Sequence, residues 1–257
     1  MPKLEIHPLT PACWPGLEAL FGSLVGRPPG PQPAPRPASG STLIFATTPS
    51  TMSKLEIHPL TPDRWPGLEA LFGPRGACAG CWCMWWRLKR SDFNRGKGAS
   101  NKRALRKLVD SGDPPGLLAY LDGRPVAWCA LGPRETYPVL ANSRVLKPVD
   151  DQPVWSLPCF FVARPHRGRG LTVKLLEAAR RWARKRGARI LEGYPVEPRQ
   201  GRMPDAFAWT GAASAFRQAG FVEVARRSPT RPIMRAPIKT PTARSSNPRA
   251  RSSSANR

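Results

Sequence analysis

Residues 159–176 read CFFVARPHRGRGLTVKLL and form the most informative stretch of the chain. An apolar run leads into a turn that contains Gly168 and Gly170, and a stretch with helical apolar spacing follows. The first turn of a helix has N–H groups without intrahelical partners, its dipole is positive there, and glycines let a ligand approach the backbone closely. The stretch therefore predicts a strand–turn–helix junction that binds phosphate or pyrophosphate, with added positive charge from Arg167 and Arg169.

The turn matches one of three known phosphate-binding patterns. A Walker A loop requires GxxxxGK[ST], which this stretch lacks, and a GxGxxG fingerprint would require a small residue at Val173. The third pattern, R-x-x-G-x-G/A, matches Arg167 and Gly170, with Thr172 in the last place. A purely structural turn with glycines is the alternative interpretation.

The flanking sequence predicts one α/β or α+β domain over residues 52–235, because strand and helix patterns mix throughout. Asp122-Gly123 between two apolar runs indicates a hairpin. Thr61 is a candidate N-cap, and Gly73 would end the helix that follows it. Strands are predicted at 54–60, 116–121, 125–131, 154–163, 188–196, 221–225 and 232–235, and helices at 61–73, 101–111, 167–186 and 211–219.

The two ends of the chain differ from this central region. Residues 3–22 and 54–73 repeat one sequence with two differences, and a Pro-rich segment separates the copies. We interpret the repeat as a recent duplication or an upstream start, with Met52 opening the domain; a strand exchanged between copies or between chains is the alternative. Residues 1–51 are therefore expected to be a duplicated leader with a disordered Pro-rich linker, and residues 236–257 a disordered basic tail.

Composition excludes several classes of protein. Forty per cent of the 257 residues are apolar, which is enough for a core and excludes a wholly disordered chain. No apolar run approaches the ~20 residues of a membrane span, and the N-terminus does not resemble a secretory signal. The six Cys do not form an evenly spaced disulfide framework. These features predict a soluble, cytoplasmic protein without a membrane partner.

The charge balance leaves a second function class open. The chain carries 41 Lys+Arg against 17 Asp+Glu, a formal net charge of +24. Such a surplus favours polyanions, so a nucleic-acid-binding protein is an alternative. The charge is spread along the chain and no nucleic-acid motif is visible, so nucleic acid is not the expected partner.

A second stretch links the phosphate turn to a known family. Residues 215–226 read AFRQAGFVEVAR. Together with CFFVARPHRGRGL, this stretch resembles the GCN5-related N-acetyltransferases, the GNAT superfamily, over about residues 54–235. The resemblance implies a GNAT-like mixed, splayed central sheet flanked by helices, with acetyl-CoA between the strands at 154–163 and 188–196. It implies pantetheine pairing with the backbone of Phe161 and Val162, and pyrophosphate on the amides of Arg167, Gly168, Arg169, Gly170, Leu171 and Thr172.

The same resemblance implies a reaction. The protein is expected to transfer an acetyl group from acetyl-CoA to an unidentified amine by direct attack in a ternary complex, as a monomer or homodimer. Phe216 stands where family members often carry a Tyr that protonates the CoA thiolate. Catalysis would then depend mainly on proximity and electrostatics. A catalytically weak acyl-CoA-binding protein is an alternative.

The catalytic groups are predicted from residue type and position. Tyr194, near the end of a strand beside the expected splay, is the candidate acid, and Glu135 is the candidate base. The alternatives are a buried hydrogen-bonded residue for Tyr194 and a surface charge or loop cap for Glu135. His166, beside the phosphate turn, is assigned a phosphate or surface role. The other carboxylates considered are Asp150, Asp151 and Glu192.

Residues 78–86 read CAGCWCMWW. Cys-x-x-Cys suggests zinc or redox chemistry, but no second Cys/His pair follows at finger spacing, so no metal site is predicted. The preferred interpretation is an aromatic core or pocket wall with buried thiols. In the GNAT fold this segment usually builds the acceptor pocket, which makes Trp82, Trp85 and Trp86 candidate pocket residues for an apolar or cationic acceptor.

Overall fold

A computed structural model describes residues 53–198 and 209–238, which contain a seven-stranded sheet of order β1-β2-β3-β4-β5-β7-β6. This confirms the predicted mixed α/β class. In the described ranges no helix is long and apolar enough to cross a membrane. The strands are β1 Leu55–Pro59, β2 Gly116–Leu121, β3 Arg124–Pro133, β4 Trp155–Val162, β5 Ile190–Gly193, β6 Val222–Arg226 and β7 Pro232–Pro237, and the helices are α1 Trp65–Phe72, α2 Arg90–Arg95, α3 Ala99–Asp110, α4 Pro138–Ala141, α5 Leu171–Lys185 and α6 Ala213–Gln218.

The first four strands form an antiparallel meander. Its hairpin between β2 and β3 turns at Asp122 and Gly123, whose φ values are 49° and 75°. A two-residue turn with both φ values positive matches the twist of the strands, which is why Asp-Gly predicted it correctly.

The sheet separates between β4 and β5. These strands pair in parallel at three positions, from Trp155 opposite Leu191 to Leu157 opposite Gly193. Strand β4 then continues to Val162, while β5 ends. The next residue, Pro158, has no N–H to donate to a neighbouring strand. The two strands therefore diverge, as the predicted splay requires.

Helix α5 begins at Leu171, and the prediction that it begins at Arg167 is wrong. Arg167 has an extended backbone with ψ 153°. Gly168 and Gly170 both have φ 73°, a left-handed conformation that ends regular structure and favours glycine. The four residues before the helix therefore form a turn.

The C-terminal boundary also needs correction. Strand β7 runs to Pro237, and Ala236 and Ile238 are buried, so the folded part extends past the predicted end at Arg235. Ala236 pairs with Leu191, and the Ile238 N–H donates to the Arg189 carbonyl at 2.7 Å. These contacts explain the extension. The predicted leader at 1–51 and the rest of the predicted tail lie outside the described residues.

Apolar side chains pack on both faces of the sheet. On one face, α5 and α6 contribute Leu175, Leu176 and Phe216 to a buried cluster. On the other, α1 and α3 contribute Leu68 and Leu105. The short helices α2 and α4 were not predicted, because neither is long enough to show an apolar period.

Candidate active site

A cavity of about 330 Å³ lies where β4 separates from β5. Its lining comes from the end of β4, from the turn at residues 167–170, from the first turn of α5 and from the start of α6. This turn is called the glycine turn below. Cys78 and Trp209 complete the lining. Arg169 is exposed next to this wall. Seven of the predicted cofactor-binding residues line the cavity: Phe161, Val162, Arg167, Gly168, Gly170, Leu171 and Thr172.

The glycine turn has open space in front of it. A Cβ added to Gly168 or Gly170 would meet no atom of the described part of the chain within 4 Å. Among the described residues no side chain caps the first turn of α5, so none of them supplies a side-chain acceptor to its N–H groups. An anion can approach these amides and the positive end of the helix dipole.

Two side chains flank the turn. The Arg167 Nε donates to the Val162 carbonyl at 3.0 Å, which ties the turn to the end of β4. His166 lines the cavity, and its buried Nδ1 has no hydrogen-bond partner in the part of the chain that the structure describes. Both residues place nitrogen atoms near the position predicted for phosphate.

One edge of β4 faces the cavity. Phe160, Phe161 and Val162 pair with β3 along their other edge. Among the described strands, none pairs with these residues on the splayed side. Their backbone amide groups there can pair with an extended amide-containing chain, as the predicted pantetheine pairing requires.

Tyr194 lies inside a buried polar network and does not line the cavity, contrary to its predicted role as acid. Its side chain is fully buried. Its hydroxyl lies 2.7 Å from Ser156 Oγ, accepts from Arg134 Nη1 at 2.6 Å and donates to Glu192 Oε1 at 2.7 Å. Burial, followed by the Glu192 charge, raises the pKa of Tyr194 well above its usual value. The structure therefore indicates a role in holding the strands together.

The candidate base Glu135 also lies outside the cavity lining, contrary to its predicted role. It is exposed in a short 3-10 turn after β3 and does not line the cavity. Asp150 binds Arg235, Glu192 is buried between two arginines, and Asp151 is exposed. In the described ranges, no carboxylate lines the cavity. Periodicity could not show where Glu135, Asp150 and Asp151 lie, because these residues are in turns and loops without a repeating pattern.

The three tryptophans of residues 78–86 have different positions, one in the core and two next to the cavity. Trp82 is buried and stacks on Trp65 at 6.0 Å between ring centroids, so it is a core residue. Trp85 and Trp86 pack against Trp209 at 6.1 and 5.6 Å. Trp209, which lines the cavity, was missed because it follows a stretch without periodic signal. Trp85 and Trp86 therefore support a cavity wall that Trp209 forms.

The thiols of residues 78–83 have different environments. Cys78 is exposed on the cavity wall. Cys83 is buried, and its sulfur lies 3.4 Å from that of Cys159. Burial raises the pKa of Cys81 to about 12. Among the described residues no group of three or more His, Cys, Asp or Glu side chains could hold a metal ion.

Phe216 is fully buried beneath the cavity. Its ring packs edge-on against Phe160, which lines the cavity, with the centroids 5.8 Å apart. Gly193 and Gly211 allow this packing. A Cβ on Gly193 would lie 2.0 Å from a ring carbon of Phe216, and a Cβ on Gly211 would lie 2.8 Å from another. The side chain therefore supports the floor of the splay.

The sequence of the region that contains this cavity matches a known protein family. A model described as "Acetyltransferase (GNAT) family" matches residues 82–200. This match confirms the resemblance to the GNAT family that the motifs predicted. No curated protein matches the sequence.

Solved structures similar to this chain include three acetyltransferases. The acetyltransferase of the GNAT family from Streptococcus pneumoniae is 15% identical with a TM-score of 0.43, and the match covers 72% of this chain and 100% of that one. The protein yncA from Salmonella typhimurium, solved with its cofactor acetyl-CoA, is 13% identical with a TM-score of 0.43, covering 74% and 96%. The PaiA N-acetyltransferase from Thermoplasma acidophilum, in complex with coenzyme A, is 13% identical with a TM-score of 0.41, covering 72% and 99%.

Proposed function

We propose that this protein transfers an acetyl group from acetyl-CoA to an amine by direct attack in a ternary complex. One observation carries the proposal. The unpaired edge of β4 and the uncapped first turn of α5 open onto the same cavity. An extended amide chain that ends in a pyrophosphate needs both features at once.

The cofactor's two halves have separate partners in this proposal. The pyrophosphate lies on the amides of the turn from Arg167 to Thr172, where Gly168 and Gly170 leave space for it. The arginine side chains of the turn add charge-assisted hydrogen bonds. The pantetheine arm pairs with the backbone of Phe161 and Val162, which places the thioester towards Trp209 and Cys78.

The chain contributes mainly position and electrostatics to the transfer. The amine nitrogen attacks the thioester carbonyl carbon, the carbon–sulfur bond breaks with CoA leaving as the thiolate, and the amine's proton passes to solvent. In the described part of the cavity wall no Tyr or carboxylate is present to act as acid or base. Holding the two reactants in contact accounts for a large share of such an acceleration.

The acceptor enters at the aromatic end of the cavity. Trp209 and Phe161 line this end, and Trp85 and Trp86 support Trp209 from behind. An aromatic wall favours an acceptor with an apolar body or a cationic group. The acceptor must present its reacting nitrogen as the neutral amine, because only that form has a lone pair.

Acetyl-CoA binding tests the proposal directly. We expect Gly170→Asp to weaken binding by on the order of 100-fold, because the added carboxylate faces the pyrophosphate. Gly187→Asp is the matched control: Gly170 and Gly187 have φ values of 73° and 80°, and both have open space at Cβ. Gly187 follows the opposite end of α5, so this variant is expected to bind as the wild type does. Isothermal calorimetry on the full chain measures all three.

Two results would contradict the proposal. One is no acetyl-CoA binding by the wild-type protein, and the other is equal loss in both glycine variants. A binding protein without turnover would show the same calorimetry but release no CoA thiol with any amine. A thiol-release assay against a panel of aromatic, aliphatic and polycationic amines separates these two functions.

A further inference from the structure

Cys83 and Cys159 form a close pair of thiols that the proposed transfer does not use. Their sulfur atoms lie 3.4 Å apart, although 76 positions separate the residues in the chain. Cys83 belongs to the loop between α1 and α2, and Cys159 lies on β4. The residues are 5% and 9% exposed. The pair therefore brings together two segments that are far apart in the chain.

The surroundings favour a nucleophilic sulfur at Cys83. The indole N–H of Trp128 donates to Cys83 Sγ at 2.9 Å. The hydrogen bond with Cys159, and then the one from Trp128, lower the pKa of Cys83 against the opposing effect of burial. The hydrogen bond with Cys83, together with burial, raises the pKa of Cys159 well above its usual value. Cys83 is thus the thiol that ionises first, and the thiolate is the reactive form.

We propose that Cys83 and Cys159 are a redox-reactive dithiol that a peroxide converts to a disulfide. The Cys83 thiolate attacks one peroxide oxygen, the O–O bond breaks, and Cys83 sulfenic acid and one water form. The Cys159 sulfur then attacks the Cys83 sulfur, and the hydroxyl leaves as a second water. Two thiols lose two electrons and two protons, and one peroxide is reduced to two waters.

The geometry allows the bond with a small movement. A disulfide has an S–S distance of about 2.05 Å, so the sulfur atoms must approach by roughly 1.4 Å. The loop that carries Cys83 has non-glycine residues in the left-handed region: Ala77, Ala79, Trp82 and Cys83, with φ from 42° to 67°. Such conformations are held by their surroundings at a cost of about 1–3 kcal/mol each. A local shift can therefore relieve strain in this loop.

The disulfide would join two walls of the cavity. Cys159 directly precedes Phe160 and Phe161, which line the cavity, and the loop of Cys83 contributes Cys78 to the same lining. Drawing these segments together narrows the space beside β4. This consequence rests on the proposed function, whereas formation of the disulfide does not.

Mass spectrometry of the full-length reduced protein tests the proposal. After treatment with a small excess of hydrogen peroxide and blocking with N-ethylmaleimide, we expect the loss of two alkylated thiols and a tryptic cross-link between residues 76–87 and 145–167. The Cys78→Ala/Cys81→Ala double variant should keep the cross-link, which assigns it to Cys83. Cys159→Ala should abolish it. The matched control Cys129→Ala, which removes another fully buried thiol, should keep it.

Two results would overturn the proposal: no cross-link in folded wild-type protein, or a disulfide that joins only Cys78 and Cys81. Calorimetry then tests the consequence for the cavity. The oxidised protein is expected to bind acetyl-CoA roughly tenfold more weakly than the reduced protein. In Cys159→Ala, peroxide treatment should leave acetyl-CoA binding unchanged. Equal binding by oxidised and reduced protein would refute the narrowing of the cavity. Absence of binding by the reduced protein would count against the proposed function and leave the cross-link result unaffected.

Discussion

Replacing Glu192 by alanine is expected to lower the free energy of unfolding by about 3–5 kcal/mol, the cost typical of removing one partner from a buried ion pair. The Glu192 side chain is fully buried and lies between the guanidinium groups of Arg134 and Arg235. The side chains of Arg134 and Arg235 are only 11% and 10% exposed. The variant would leave both charges close together, poorly hydrated and without their shared carboxylate.

The position of this network explains why the loss matters for the fold. Arg134 follows β3, Glu192 lies on β5, and Arg235 lies on β7. Arg235 also binds Asp150, in the loop before β4, with contacts of 2.6 and 3.0 Å. The network thus fastens the sheet at the end where β4 and β5 are still paired. The opposite end is then free to splay.

Urea unfolding followed by tryptophan fluorescence measures the effect. Glu177→Ala is the control, because Glu177 forms an exposed helix pair with Lys174, with the two side chains 41% and 57% exposed. Removing an exposed pair of this kind costs about 0–1 kcal/mol. A loss of stability in Glu192→Ala no larger than that in Glu177→Ala would show that the network does not hold the sheet.

The glycine turn at residues 167–170 could be predicted from the sequence because its determinants are local. Gly168 and Gly170 adopt φ values that favour glycine, and they stand directly between a strand and a helix. Sequence alone shows both the residue type and its neighbours. The start of α5 was misplaced by four residues, because a turn rich in arginine and glycine does not reveal where helical hydrogen bonding begins.

The rest of the candidate site could not be predicted, because it depends on contacts between distant segments. Tyr194 follows directly after a strand. Only the fold shows that its hydroxyl forms hydrogen bonds with Ser156 and Arg134 and does not line the cavity. Trp209 reaches the cavity from a segment without periodic pattern. The pairing of Cys83 with Cys159 likewise requires the path of β4 to be known.

Phe216→Ala is expected to destabilise the protein by about 3–5 kcal/mol, as removal of a buried aromatic ring usually does. The ring is fully buried and packs against Phe160 and Phe221, with centroid distances of 5.8 and 5.0 Å. It occupies the space beside Gly193, the last residue of β5. Truncating it would leave a cavity directly below Phe160, so we also expect weaker acetyl-CoA binding.

A double-mutant cycle tests whether the ring and the strand share this space. A Cβ on Gly193 would lie 2.0 Å from Phe216 Cε1, so Gly193→Ala should cost about 1–3 kcal/mol through overpacking. In the Phe216→Ala background the added methyl group meets a cavity, and the cost of Gly193→Ala should fall towards zero. Urea unfolding of the four proteins gives the coupling free energy. Additive costs would mean that Phe216 does not pack against β5, and its role beneath the splay would have to be abandoned. A strong coupling would explain why an aromatic residue without a hydroxyl suits this position: the ring fills space between the diverging strands.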